Sequence, residues 1–443
     1  VAPVTKFARV RQNARMIRRL LILLACLALT SVHMNADEHA IAAYIDAHDA
    51  EALALLERVV NINSGTQNTA GVQEVGRIFR AELDAIGFKT TWVPQDAVAR
   101  GGHLVAEHPG PGPRILLIGH LDTVFEPDSP FQKFERIDAK MARGPGIIDM
   151  KGGDVIIVQA LKALHATGAL RNMNIIVVMN GDEEDVGAPT EVARKALVDA
   201  AKGAAYAIGF EDGDGDPAHA IVARRGTAEW RLTVTGVTGH SSQIFNKEFG
   251  AGAIFEAARI LDLFRQKLAG QPHLTFNPGA IVGGTTAELD AAAARGTAFG
   301  KTNVISGRVI VTGDVRGLTM EQFRSAEETM RAAAATAAPP IRAEIEFEQG
   351  YPPLAPTEGN AALLARYDQV SRDLGLGPVT AVSPDKAGAA DVAFIASEVK
   401  SIIDAAGLKG HDDHSPAETA DLTTLPVQTK RAAVLLYRIS GGK

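Results

Sequence analysis

Apolar positions along the chain follow two rhythms, one after the other. From about Ala40 to Ala223, stretches with helical spacing alternate with short apolar runs, as a mostly parallel sheet covered by helices requires. Helix periodicity covers 41–60 and 72–86, with Gly87 as a stop, and the apolar runs predict strands at 89–93, 103–107, 114–118, 174–179 and 205–210. Pro109-Gly110-Pro111-Gly112-Pro113 separates two of these runs as a turn. From 226 to about 349 the order becomes strand 229–234, helix 252–268, strands 273–281 and 306–315, helix 320–335 and strand 341–348. This β-α-β-β-α-β, ferredoxin-like succession predicts a small four-stranded sheet with two helices on one face. The α/β pattern resumes at Ala361 and runs to about Gly441. The expected fold class is therefore α/β: a mixed, mostly parallel sheet in a domain made of 37–225 and 350–443, with a second domain, 226–349, inserted into it.

Length agrees with two domains, since 443 residues exceed the roughly 250–300 at which single cores stop growing. A net charge of −7 without a long basic run offers nucleic-acid phosphate nothing to grip, so nucleic acid is set aside as a partner. Charge matters locally at the start, where Arg15, Arg18 and Arg19 precede an apolar block over 20–32. That block is shorter than the roughly 20 apolar residues of a spanning helix and reads as an export signal within 1–36. Met16 is its natural first residue, with 1–15 an upstream extension, and a mature chain starting near Asp37 would be periplasmic or secreted without a transmembrane span. The alternative for the block is a buried amphipathic helix. Cys26 is the only cysteine and lies inside the block, so a mature chain has no thiol for disulfides, catalysis or zinc. Leu23-Leu24-Ala25-Cys26 also resembles a lipoprotein processing site, which gives lipid anchoring through Cys26 as the alternative. Neither Gly144-Pro145-Gly146 nor Gly283-Gly284 has the spacing of a phosphate-binding loop.

Chemistry enters at the ends of the apolar runs. Gly119-His120-Leu121-Asp122-Thr123-Val124 follows Ile115-Leu116-Leu117-Ile118, and strand ends in open α/β sheets are where sites collect. Asp149, Glu183-Glu184, Glu211 and His414 lie near the ends of other runs or in glycine-bounded loops. Hydrolytic zinc takes imidazole nitrogen and carboxylate oxygen, and a pair of ions needs about five protein ligands. His120, Asp149, Glu184, Glu211 and His414 supply them. Each alone is more often a hydrogen-bonded structural residue; the joint pattern points to two metals.

Three segments in this order, Gly119 to Val124, Gly144-Pro145-Gly146-Ile147-Ile148-Asp149-Met150-Lys151-Gly152-Gly153 and Asp182-Glu183-Glu184, resemble the co-catalytic zinc peptidases. That family includes glutamate carboxypeptidase, acetylornithine deacetylase, succinyl-diaminopimelate desuccinylase and the aminoacylases. The resemblance covers roughly Ala40 to Arg438. It implies that Asp149 bridges two ions, with His120 and Glu211 on one and Glu184 and His414 on the other, and that Glu183 is the general base. It implies further that Asp122 accepts the free imidazole N–H of His120, and that the peptide bond Asp149-Met150 is cis. Gly388-Ala389-Ala390-Asp391 and His414-Ser415-Pro416-Ala417-Glu418 match the family's last segments, which favours His414 over His411 as ligand. Gly236-Val237-Thr238-Gly239-His240-Ser241-Ser242 resembles a segment whose histidine, here His240, stabilises an oxyanion in the partner subunit's site. Asn303, Arg316 and Gly388 match substrate-binding positions, arginine meeting a carboxylate through two parallel hydrogen bonds.

The implied cofactor is two Zn2+ per subunit, with Co2+ or Mn2+ fitting similar donors. The implied assembly is a homodimer through 226–349, which would also serve as a lid, with a hinge near Gly226 and Tyr351. The implied reaction is hydrolysis of a small peptide at an amide next to a free carboxylate, in the manner of a carboxypeptidase or dipeptidase. N-acyl amino acid deacylation is the alternative, and a metal-free binding protein a more distant one. Two departures bear on substrate. Gly350-Tyr351-Pro352-Pro353 stands where glutamate carboxypeptidases have Gly-Arg-Pro, so a cation for an acidic side chain is missing. Asp185-Val186-Gly187-Ala188-Pro189 is one residue longer than the family's usual loop after the base.

Overall fold

The computed structural model describes residues 34–290 and 295–442. The expected export signal and Cys26 lie outside the described residues. Six strands form the larger sheet, in the order Lys89–Gln95, Arg100–His108, Asn174–Asn180, Arg114–His120, Tyr206–Gly209 and Ile402–Ile403. The first two pairings are antiparallel and the other three parallel. Alternate side chains along the central strands leave on opposite faces. Ile115, Leu117, Ile175 and Val177 pack in one apolar layer with helix Gly152–Ala166 and helix Thr424–Ile439. Leu116, Ile118, Ile176 and Val178 pack in another with Leu197, Ala200 and Val392. Both faces are covered, which is why these strands read as unbroken apolar runs in the sequence.

Gly226–Thr235, Thr275–Gly284, Arg308–Gly317 and Arg342–Gln349 make a separate antiparallel sheet, ordered second, third, first, fourth along the chain, as the β-α-β-β-α-β pattern predicts. Helices Gly252–Leu268 and Met320–Ala334 bury their apolar stripes against one face of it, with Trp230 and Phe264 edge to face at 5.8 Å. The two chain segments joining the sheets run side by side. Arg224 and Leu354 exchange backbone hydrogen bonds of 2.9 and 3.0 Å, and the Thr227 N–H donates to the Tyr351 carbonyl at 2.8 Å. At Gly226 a Cβ would lie 2.6 Å from that same Tyr351 oxygen, so the crossing needs glycine.

Two features depart from the sequence reading. The periodic stretch 41–60 is two helices, Ala36–Ala47 and Asp49–Val60, because the His48 ring turns back onto the Tyr44 carbonyl at 2.7 Å and ends the first. Between the second and third strands of the smaller sheet lies a hairpin, Thr286–Asp290 with Arg295–Phe299. Its second strand is exposed throughout, so no apolar alternation announces it.

Candidate active site

The site forms at the carboxyl ends of three adjacent parallel strands, where the backbone leaves the sheet and side chains converge. His120 ends the strand Arg114–His120 and pairs in register with Asn180, the last residue of its neighbour. The chain beyond Asn180 runs directly into Asp182-Glu183-Glu184, and Glu211 comes two residues after Gly209 on the other side. Asp149 sits in the turn ahead of helix Gly152–Ala166, and its peptide bond to Met150 is cis.

These positions bring together five side chains spread over almost 300 residues of sequence. One oxygen of Asp149 is 3.0 Å from His120 Nε2, which is also 3.7 Å from Glu211. The other oxygen is 2.9 Å from His414 Nε2, which is 3.1 Å from Glu184. Asp149 thus stands between two imidazole–carboxylate pairs. His411 is on the short strand Gly410–His411 and is exposed; it is His414 that faces Asp149. Asp412 and His414 both have positive φ, 62° and 56°, a conformation that non-glycine residues adopt where surrounding structure imposes it.

The electrostatics of the cluster are those of crowded acids and bases. Burial disfavours charge on Asp149, but hydrogen bonds from His120 and His414 outweigh it and hold the carboxyl below the usual range. Hydrogen bonds to Asp149 and Glu184 push the His414 imidazole up to about 11. Burial, together with Asp391 and Glu184 as like charges, raises Glu183 well above the ordinary carboxylate range, and burial with Asp149 and Glu183 raises Glu211 likewise. Glu184 Oε1 is buried without a hydrogen-bond partner. Carboxylates crowded this closely keep their charge only with positive charge among them, from imidazolium or a bound ion, and otherwise take up protons. The donors fit a bound ion: one atom each from His120, Asp149 and Glu184 lie within 4.8 Å of one another, and so do one each from Asp149, Asp413 and His414. Asp413 joins the cluster without having been singled out in the sequence, although the run His411-Asp412-Asp413-His414 contains it.

Three residues support the candidate ligands, and of these only Arg194 was not singled out by the sequence. Asp122 does more than face His120, whose Nδ1 is 3.1 Å from its backbone oxygen and 3.4 Å from its carboxylate. The carboxylate chiefly accepts the N–H groups of Glu183 and Glu184, at 3.0 and 3.1 Å, and the Thr66 hydroxyl at 2.6 Å. Burial opposes its charge, yet the bonds from His120, Thr66 and Glu183 hold its pKa below normal. Glu418 is buried and accepts backbone N–H groups from Gly146, Ile148 and Asp149 at 2.9, 2.9 and 3.3 Å, which fixes the turn presenting Asp149. Arg194, also buried, pairs with Asp182 and Asp391 at 2.5 and 2.7 Å, tying the Glu183 loop to the segment after Gly388. In the longer loop after Glu184, the Gly187 N–H closes back on Asp182 at 3.0 Å and Arg100 pairs with Asp185 at 2.9 Å.

Asp149, Glu183, Glu211, Arg224, Gly388 and His414 are among the residues lining one cavity of about 140 Å³. Gly388 offers its carbonyl to Arg224 at 2.7 Å. The remaining positions of interest lie within 226–349, Arg316 on the smaller sheet and His240 and Asn303 in loops outside its strands. The His240 ring is exposed and meets Ser242 Oγ at 2.8 Å, Asn303 is exposed, and Arg316 pairs with Asp314 at 3.1 Å. None of these hydrogen bonds reaches the Asp149 cluster.

A mostly parallel sheet that carries at its strand ends a carboxylate between two imidazole–carboxylate pairs defines a metallohydrolase. The sequence profile of peptidase family M20/M25/M40 matches residues 116–438, and the chain belongs to that family. It is 27 % identical over 395 residues to carboxypeptidase G2 of a Pseudomonas species, covering 88 % of this chain and 89 % of that protein. Succinyl-diaminopimelate desuccinylase of Nitrosospira multiformis is 25 % identical over 401 residues, covering 85 % of this chain and 96 % of that one. The fold matches a dinuclear metal-binding M20 peptidase of Bacillus subtilis with a TM-score of 0.63 at 17 % identity, over 90 % of this chain and 100 % of that one.

Proposed function

We propose that this chain is a zinc-dependent carboxypeptidase or dipeptidase that hydrolyses an amide next to a free carboxylate. The observation that carries the reading is the placement of Asp149 between His120 with Glu211 and His414 with Glu184. A pair of divalent ions held there supplies Lewis acidity toward a carbonyl and lowers the pKa of water. Glu183, half-buried beside them with a raised pKa, takes the proton of the attacking water and passes it to the nitrogen as the C–N bond breaks. An acid and an amine leave. Glu184, although adjacent in sequence, serves as a ligand and not as the base, the two carboxylates being separated in role by their surroundings.

His240 is proposed to steady the oxyanion in the partner subunit, and Asn303 with Arg316 to grip the substrate carboxylate. Support for a dimer comes from large exposed apolar side chains within 226–349: Ile254 and Phe255 on helix Gly252–Leu268, Ile281 on the smaller sheet, Phe299 on the hairpin and Phe245 in a loop. Sedimentation should then give the mass of two chains, and a fully active monomer would remove His240 from this role. Tyr351, where a cation for an acidic side chain would stand, argues against a C-terminal glutamate as the preferred residue. A panel of dipeptides, C-terminally blocked dipeptides and N-acyl amino acids separates the alternatives. Turnover of free-carboxylate dipeptides that is lost on blocking supports the proposal. Turnover of N-acyl amino acids alone selects the deacylase.

A further inference from the structure

The peptide unit joining Glu183 to Glu184 is held from both sides. Its N–H, that of Glu184, donates to Asp122 Oδ2 at 3.1 Å. Its carbonyl, that of Glu183, accepts the hydroxyl of Tyr351 at 2.5 Å. With the Glu183 N–H on Asp122 Oδ1 at 3.0 Å, the backbone carrying the base has three fixed points. Two come from the strand-end loop of the larger sheet, and the third comes from the segment returning from the smaller one.

Tyr351 is itself tied to both joining segments. Its N–H donates to Thr227 Oγ1 at 3.2 Å, its carbonyl accepts the Thr227 N–H at 2.8 Å, and its ring packs against Phe394 with centroids 4.9 Å apart. Phe394 in turn lies under the Arg194 guanidinium, 5.3 Å from ring centroid to Cζ, and Arg194 holds Asp182. The phenol therefore reaches the base loop from a rigid mount. A swing of the smaller sheet about the crossing at Gly226 would move this mount, and the hydroxyl would carry the movement to the Glu183 carbonyl.

We propose that Tyr351 is a positioning residue whose hydroxyl, carried on the joining segment, orients the Glu183–Glu184 peptide and through it the Glu183 carboxylate. This rests on Glu183 being the base. Misplacing a reacting group by about 1 Å can cost on the order of 100-fold in rate without loss of binding. Tyr351→Phe removes only the hydroxyl and keeps the ring on Phe394. The variant, purified with its metal, is expected to show kcat lower by roughly 10- to 100-fold with KM within about twofold, and an unchanged metal content and thermal midpoint. A merely structural role would move the midpoint or the metal content together with kcat, and that result overturns the proposal, as does a kcat within about twofold of wild type. Glu183→Gln assayed alongside keeps the two ideas apart. If it is inert while Tyr351→Phe is fully active, only the positioning role falls; if it is itself active, the base assignment falls with it.

Discussion

Glu183→Gln is expected to lower kcat by at least ~100-fold, up to about 10,000-fold, the span that general acid–base groups contribute. KM and metal content should stay near wild type, because the proposed metal ligands are Glu184, Asp149 and Glu211 and not residue 183. The amide is close in size to the carboxylate, so the bonds from Glu183 N–H to Asp122 and from Tyr351 to the Glu183 carbonyl survive. Only the capacity to accept a proton is lost. A burial-raised pKa suits a group that must both take and return a proton near neutrality. Single-turnover kinetics of the metal-loaded variant read the effect directly, and retained turnover would take Glu183 out of the mechanism.

Arg194→Met is expected to destabilise the fold by roughly 3–5 kcal/mol, the usual cost of leaving a buried charge uncompensated. Arg194 is 1 % exposed, Asp182 0 % and Asp391 2 %, so neither carboxylate can turn to water for help. The arginine also donates to the Asp182 carbonyl at 3.0 Å, and Asn180 adds a bond of 2.6 Å to Asp391. Removing the guanidinium thus strands two acids under the loop that bears Glu183 and Glu184, and activity should fall with stability. Methionine fills much of the volume, which limits the contribution of a cavity. Denaturant unfolding measures the shift. A midpoint equal to wild type would show that the pair is not held charged and buried as described.

How far the sequence foretold this arrangement depends on whether a residue acts through its neighbours along the chain or across it. His120 was legible because an apolar strand buried on both faces runs straight into it. Glu183 and Glu184 follow a second such strand, which ends at Asn180. The two-sheet architecture was legible for the same reason, since helix and strand periods differ and the change at 226 is abrupt. The break at His48 was not, because apolar spacing continues across it and the cause is a side chain bonding to its own helix. Glu418, 269 residues from Asp149, and Arg194, 197 from Asp391, find their partners only when the chain is folded. Tyr351 read as a missing cation, and its hydroxyl gained a meaning only when Glu183 was seen beside it. Position in a motif announced the candidate ligands together with Asp122 and Glu418; Arg194 carries no local signal.

The central claim is that five side chains surround two cations bridged by Asp149. Anomalous diffraction from crystals grown with zinc, recorded on both sides of the zinc edge, tests it most directly. The account predicts two peaks about 3.5–4 Å apart, one against His120 and Glu211, the other against Glu184 and His414, with an Asp149 oxygen on each. A single peak away from Asp149, or no peak in active protein, would contradict it.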